Sequence, residues 1–278
     1  GPRAMLIAGG TDLLPNMKRR HQAPQVLVSL RQVDELRKLN GVFGAGLTLS
    51  EIVRHEKAPA ALRQAAAQVA TPHLRNMGTL GGNLCLDTRC NYYNQTYEWR
   101  KAIDFCLKKD GTVCWVATAS KRCVAVSSTD TPPALIALNA SVKLVSEKGE
   151  REIPVQALYQ NDGIEYLSRT PDEILTEVRI PSGWKSTYWK LRRRGSFDFP
   201  ILGVAAALRF NSSNEIEEAR IARGAVASRR FLAEKASEFL KGKKLTDEVI
   251  AEAAGLVANR AKPMDNTDMD LYWRKEVA

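Results

Sequence analysis

The sequence predicts an α+β fold in two domains, and three observations carry that prediction. Short strand-length apolar runs alternate with Ala-rich stretches at helical spacing, a Pro181-Ser182-Gly183 turn divides the chain late, and 278 residues with 44% hydrophobic content suffice to bury a full core. Val26 to Leu30 reads as a strand and Val42 to Ala45 as another, while Leu49 to His55 and Ala58 to Val69 read as helices. Asp130-Thr131-Pro132-Pro133 opens a helix through Ala134 to Leu138, because Asp or Thr can cap a helix and proline suits its first turn. Val142 to Val145 reads as a strand with a turn at Lys148-Gly149. Beyond the boundary, Thr187 to Leu191 and Gly203 to Phe210 read as strands. Arg230 to Leu240 and Thr246 to Arg260 read as amphipathic helices, the second capped by Thr246 with Asp247 and Glu248 in its first turn. The domains are expected at 1–182 and 183–278.

No run approaches ~18 consecutive apolar residues, so no membrane span is expected and the protein reads as cytoplasmic. Gly1 to Ile7 already form the approach to a motif, from which an N-terminally incomplete chain is expected, with any targeting signal missing too. The net charge of +10 is scattered apart from Arg192-Arg193-Arg194 and the stretch Lys241 to Lys244, and no RNP, zinc-finger or helix-turn-helix pattern accompanies it. A solvated basic surface is the plain reading, an acidic protein partner its best functional use, and nucleic acid comes third.

All five cysteines fall between positions 85 and 123, four of them as Cys90-x15-Cys106-x7-Cys114-x8-Cys123. Four thiolates from one irregular segment suit a [4Fe–4S] cube. Zinc also accepts four cysteines, but usually as close pairs, and no C-x2-C occurs here. Disulfides fit an odd count poorly. Arg89, Lys108, Lys109, Lys121 and Arg122 lie near the sulfurs, where cations favour the metal-binding thiolate. Over 86–127, seven Lys or Arg face four Asp or Glu, a surplus that would offset an anionic cluster. Tyr92, Tyr93, Trp99, Phe105 and Trp115 are placed to shield a cluster or simply to pack the loop. Cys85 precedes the quartet and reads as a packing residue.

Two glycine turns form the second piece of chemistry, Leu6 to Leu14 and Asn76 to Asn83. Tandem glycines let consecutive N–H groups turn inward as a nest that a phosphate can approach without meeting a Cβ, and two nests suit a pyrophosphate. Neither matches G-x-G-x-x-G or the P-loop, so neither a Rossmann fold nor a P-loop is supported; the plain alternative is a pair of tight turns.

AGGTDLL, RNMGTLGGN, DTPPALIAL, EILTEVRIP and the closing ANRAKPMDNTDMDLYWRK resemble the FAD-binding medium subunit of the molybdenum hydroxylases, the xanthine dehydrogenase family. The likeness covers nearly the whole chain. It implies a PCMH-type (vanillyl-alcohol-oxidase-like) FAD-binding domain and a smaller α+β C-terminal domain of the CO dehydrogenase flavoprotein type. The cysteine segment, about 86–127, is an insertion that most members lack; with DTRCNYYNQ it resembles the [4Fe–4S] loop of the β subunit of 4-hydroxybenzoyl-CoA reductase. The resemblance assigns FAD to Ile7, Ala8, Gly9, Gly10, Thr11, Asp12 and Leu13, and to Thr79, Gly81, Gly82 and Asn83. It also assigns Asp130 to the sugar and adenosine side, and Leu175 with neighbouring Ile174, and Lys190, to the flavin. Each has a plain alternative: Asp130 a helix cap, Lys190 a surface lysine, Ile174 and Leu175 core.

The resemblance further implies electron transfer, from ferredoxin through the cube at Cys90, Cys106, Cys114 and Cys123 to FAD, then to a [2Fe–2S] small subunit and a molybdopterin large subunit, in a dimer of heterotrimers. There the phenolic hydroxyl of 4-hydroxybenzoyl-CoA would be removed. A sibling hydroxylase oxidising an N-heterocycle or aldehyde is the first alternative, and a basic nucleic-acid-binding module with a four-cysteine zinc site the second. His21, His55 and His73 stand at no metal-ligand spacing and no G-x-S-x-G elbow occurs, so a self-contained hydrolase or zinc enzyme is not expected.

Overall fold

The apolar run before the first glycine pair forms strand β1 (Ala4–Ile7), which crosses over through helix α1 (Leu13–Lys18) to pair in parallel with β2 (Val26–Ser29) in the computed structural model. The structure describes residues 3–258 and 261–278; the expected helical end at Asn259 and Arg260, like Gly1 and Pro2, lies outside the described residues. After β3 (Phe43–Gly44), helix α2 (Leu49–Arg54) opens on a capping box: Thr48 Oγ1 accepts from the Glu51 N–H at 3.2 Å while the Thr48 N–H donates to Glu51 Oε2 at 2.8 Å. Helix α3 (Ala60–Ala67) buries Ala61, Leu62, Ala65 and Ala66, small residues that let it lie close to its neighbours. Two single-turn helices follow, α4 (Pro72–Arg75) and α5 (Leu80–Leu84). The cysteine segment is irregular apart from α6 (Tyr97–Ala102).

Helix α7 (Thr131–Ala137) is buried along its whole length, which is why its sequence is apolar on every face. Strands β4 (Ser141–Ser146), β5 (Gly149–Pro154) and β6 (Ile174–Arg179) join β3 in an antiparallel sheet of order β3-β6-β4-β5. Strands β7 (Lys185–Leu191), β8 (Leu202–Phe210), β9 (Ile216–Gly224) and β10 (Phe231–Leu232) form a second antiparallel sheet of order β10-β9-β8-β7. Helices α8 (Glu234–Leu240), α9 (Asp247–Ala258) and α10 (Leu271–Glu276) complete the chain. One core packs α2, α3, α5 and α7 against Val142, Leu144, Leu175 and Val178, and extends to Ala205, Ala207 and Ala222 on the second sheet. A smaller core joins Ile216, Ala219 and Ile221 to α8 and α9. Among the described residues no helix is long and apolar enough to cross a membrane.

The expected helix from Arg230 begins only at Glu234. Phe231 and Leu232 pair with Arg223 and Ala222, and the Ala233 N–H donates to Ile221 O at 2.7 Å, so the open edge of β9 captures the residues that helical spacing assigned to α8. Thr246 does cap α9, accepting from the Val249 N–H at 3.4 Å.

Candidate functional site

A cleft of about 1410 Å³ is lined by both glycine-bearing turns. Ile7 to Leu13 stand on it, with Thr79, Gly81, Gly82, Asn83, Asp130, Ile174 and Leu175. The first turn follows β1, where the strand ends and the chain must reverse into α1. Gly10 has φ +70°, and a Cβ on Gly9 would stand 1.9 Å from Met77 O, so the two turns touch backbone to backbone only because Gly9 has no side chain. Among the described residues, the N–H groups of Ala8, Gly9, Gly10, Thr11 and Asp12 meet no protein acceptor. That leaves a run of free donors in the cleft, which is what an anion-binding nest requires.

The second turn is built differently from the expected nest. It is the first turn of α5, and its amides are already used: Leu80 N–H donates to Leu47 O, Gly81 N–H to Ala45 O (both 2.8 Å), Gly82 N–H to Thr79 Oγ1 at 3.0 Å, and Asn83 N–H to Thr79 O at 2.9 Å. Gly81 is needed for packing, since a Cβ there would meet the Ala45 Cβ at 2.7 Å. Asn83 Oδ1 accepts from the Thr131 hydroxyl at 2.6 Å and so ties this wall to α7. The second turn therefore shapes the cleft, and the amide cradle comes from the first.

Asp130 occupies the cap position of α7 but makes no side-chain cap. Its carboxylate instead accepts from Tyr188 OH at 2.8 Å and from Lys190 Nζ at 3.1 Å. Lys190 also donates to Gln68 O at 2.9 Å, and its side chain is completely buried, so it is no surface lysine. It stands behind Asp130 and is not among the cleft-lining residues. Burial pushes Asp130 up to about 6, against the pull of the Lys190 ammonium and the Tyr188 hydroxyl, and burial lowers Lys190. At neutral pH Asp130 presents a carboxylate on the cleft, held by two β7 side chains.

The four expected metal-binding cysteines, Cys90, Cys106, Cys114 and Cys123, are all buried and line one small cavity of about 10 Å³ with Tyr92, Tyr93, Lys108, Trp115 and Val116. The expected shield is therefore partial: Trp99 is half exposed and Phe105 packs instead beneath Arg100. Among the described residues no three or more His, Cys, Asp or Glu side chains close on a single metal ion. Gly163 keeps the wall close, since a Cβ there would lie 2.5 Å from Cys123 Sγ. Asn266 clamps both ends of the segment: its Nδ2 donates to Val124 O at 2.7 Å and its carbonyl accepts from the Asn91 N–H at 3.0 Å. Cys85 stands apart from the quartet, on the cleft.

The cations do not neutralise the sulfurs in the way the sequence implies. Lys108 points to Asp87 Oδ1 at 2.8 Å, Lys109 to Asp110, and Arg89 to Asp12 of the first glycine turn. Burial pushes the Cys90 thiol up to about 12 and Cys123 up to about 11, Lys108 only partly offsetting the latter. Segment 87–94 forms the wall between the two spaces, because Cys90 lines both of them. Arg89 and Asn266 escaped the sequence reading: Arg89 was visible only as a charge beside a cysteine, and Asn266 lies far away in sequence.

Residues 1–183 match the family described as FAD binding domain in molybdopterin dehydrogenase, and residues 186–278 match the CO dehydrogenase flavoprotein C-terminal domain. The glyceraldehyde dehydrogenase medium chain of Sulfolobus acidocaldarius is 27% identical over 98% of this chain and 85% of its own length. The nicotinate dehydrogenase FAD-subunit of Eubacterium barkeri is 25% identical over 98% of this chain and 83% of its own. The solved carbon monoxide dehydrogenase of Hydrogenophaga pseudoflava superposes with a TM-score of 0.77 at 25% identity, covering 100% of this chain and 86% of that one.

Proposed function

Because this chain belongs to the FAD-binding medium subunits of the molybdenum hydroxylase and CO dehydrogenase family, we propose that it is the electron-transfer subunit of a multi-subunit oxidoreductase, with FAD in the cleft and a [4Fe–4S] cluster among Cys90, Cys106, Cys114 and Cys123. The free amides of the first turn support the FAD assignment most directly: they suit the pyrophosphate, while Asp130 suits a sugar hydroxyl and Leu175 with Ile174 an apolar ring. Bound FAD supplies two-electron chemistry that can be split into single steps. The chain's own residues bind and orient it; Lys190 and Tyr188 hold Asp130 in place. The division into 1–182 and 183–278 belongs to the same proposal, as does a cytoplasmic location.

The cluster reading rests on four soft donors from one irregular segment lining one cavity, with no close C-x2-C pair of the kind zinc usually takes. The family supports a molybdopterin large subunit and a [2Fe–2S] small subunit as partners; an arrangement as a dimer of heterotrimers with ferredoxin as carrier is part of the proposal. For the organic substrate, relatives named for glyceraldehyde and nicotinate favour an aldehyde or N-heterocycle oxidised in the large subunit. Reductive dehydroxylation of 4-hydroxybenzoyl-CoA is the second reading, and the cysteine quartet alone favours it. Iron, acid-labile sulfide and released flavin, quantified on anaerobically purified protein and on Cys106→Ser, test the cofactors. About four irons and one FAD per chain, with iron but not flavin lost in the variant, are expected. Zinc without flavin would overturn the reading and bring a basic nucleic-acid-binding module with a zinc site forward.

A further inference from the structure

We propose that Arg89, carried by the cysteine segment, binds the phosphates of the nucleotide in the cleft, so that the insertion completes a site otherwise built by the family's glycine turns. The inference rests on FAD occupying that cleft. Arg89 lines it, and its side chain is 9% exposed. The guanidinium is divided: Nη2 donates to Asp12 Oδ1, whereas Nη1 is buried without a protein partner. The Phe199 ring, 5.2 Å away from centroid to Cζ, packs against its face. A buried charged donor without an acceptor is unfavourable, and a phosphate in the cleft beside it would supply one.

The neighbours say what that acceptor is. The free N–H groups of Ala8 to Asp12 belong to the same turn as the carboxylate that Arg89 holds. An unneutralised Asp12 would repel an anion at this nest; paired with Arg89 it does not, and a guanidinium fork serves one carboxylate and one phosphate oxygen together. Arg89 also adjoins Cys90, which faces both cavities, so the ordering of the cysteine segment places the phosphate contact.

Comparing FAD with riboflavin, which lacks the phosphates and the adenosine, separates a contact to that half of the nucleotide from any change at the flavin. Affinities for both flavins are measured by fluorescence quenching on deflavinated wild-type chain, Arg89→Met, Arg89→Lys and the double variant Asp12→Asn with Arg89→Met. Arg89→Met is expected to weaken FAD by about 10- to 100-fold and riboflavin by less than about threefold, with the double variant still weak toward FAD. Arg89→Lys keeps the charge but not the fork, so its FAD-to-riboflavin ratio is expected between the two; it decides the matter if Arg89→Met does not fold. Equal losses for both flavins, or full recovery of FAD binding in the double variant, would reduce Arg89 to a partner of Asp12 and overturn the inference. A wild-type chain that binds neither flavin would overturn the cleft reading itself.

Discussion

Removing the ammonium from Lys190 tests how the Asp130 carboxylate is kept on the cleft. Asp130 is pushed from 3.8 to about 6 by burial, even with Lys190 and Tyr188 holding it, which corresponds to about 3 kcal/mol of unfavourable energy for the ionised form at neutral pH. Lys190→Met removes the bond at 3.1 Å and leaves a nearly sealed carboxylate with only Tyr188. Breaking one half of a buried pair destabilises by roughly 3–5 kcal/mol. The sign with pH follows from the direction of the shift. A group whose folded value lies above its unfolded value contributes stability below the unfolded value and loses it as pH rises through the folded one. Without Lys190 the folded value rises further, so the penalty should be small near pH 5, where Asp130 takes a proton, and about 2 kcal/mol near pH 7.5, where protonating a carboxyl whose wild-type value is about 6 caps it below the full charge penalty. Urea denaturation of FAD-free wild type, Lys190→Met and the double variant Asp130→Asn with Lys190→Met, at both pH values, measures this. The double variant is expected to recover most of the loss. A penalty below about 1 kcal/mol, or one equal at the two pH values, would refute the buried-pair argument.

Gly9→Ala is expected to destabilise the protein by about 1–3 kcal/mol and to abolish FAD retention on gel filtration, because the new Cβ collides with Met77 O at 1.9 Å; undiminished flavin content would contradict the backbone contact between the turns. Asn266→Ala keeps the carbonyl bond to Asn91 but removes the amide donor to Val124, and should cost about 1–3 kcal/mol while hastening limited proteolysis within the cysteine segment. Proteolysis at the wild-type rate would show that the C-terminal clamp does not hold that segment. In Cys106→Ser, iron should fall while the flavin stays, since Cys106 lines only the small cavity.

Local signals carried much of this architecture into view. Periodicity revealed α2, α3, α9 and the paired strands β7 and β8, because each depends on an apolar face or a pleat that neighbouring residues announce. The Arg230 segment misled because three residues of edge pairing override helical spacing, and the partner strand lies several residues upstream. In the cleft, the first glycine turn was legible since a strand running into Gly-Gly leaves few conformations, whereas the second was misread because Gly81 serves a close approach to Ala45, a contact between distant positions. The cysteine spacing pointed to a shared site, yet the direction of the cations was not legible: Arg89 and Lys108 sit beside sulfurs in sequence and turn to carboxylates in space.

An electron count decides between a flavin alone and a flavin with a cluster. Anaerobic reductive titration with dithionite, followed through flavin and iron–sulfur absorption, should end at about three electrons per chain, two on FAD and one on the cluster. An end point of two, with only the flavin bleaching, would contradict the cluster at Cys90, Cys106, Cys114 and Cys123 and leave the chain a simple flavoprotein subunit.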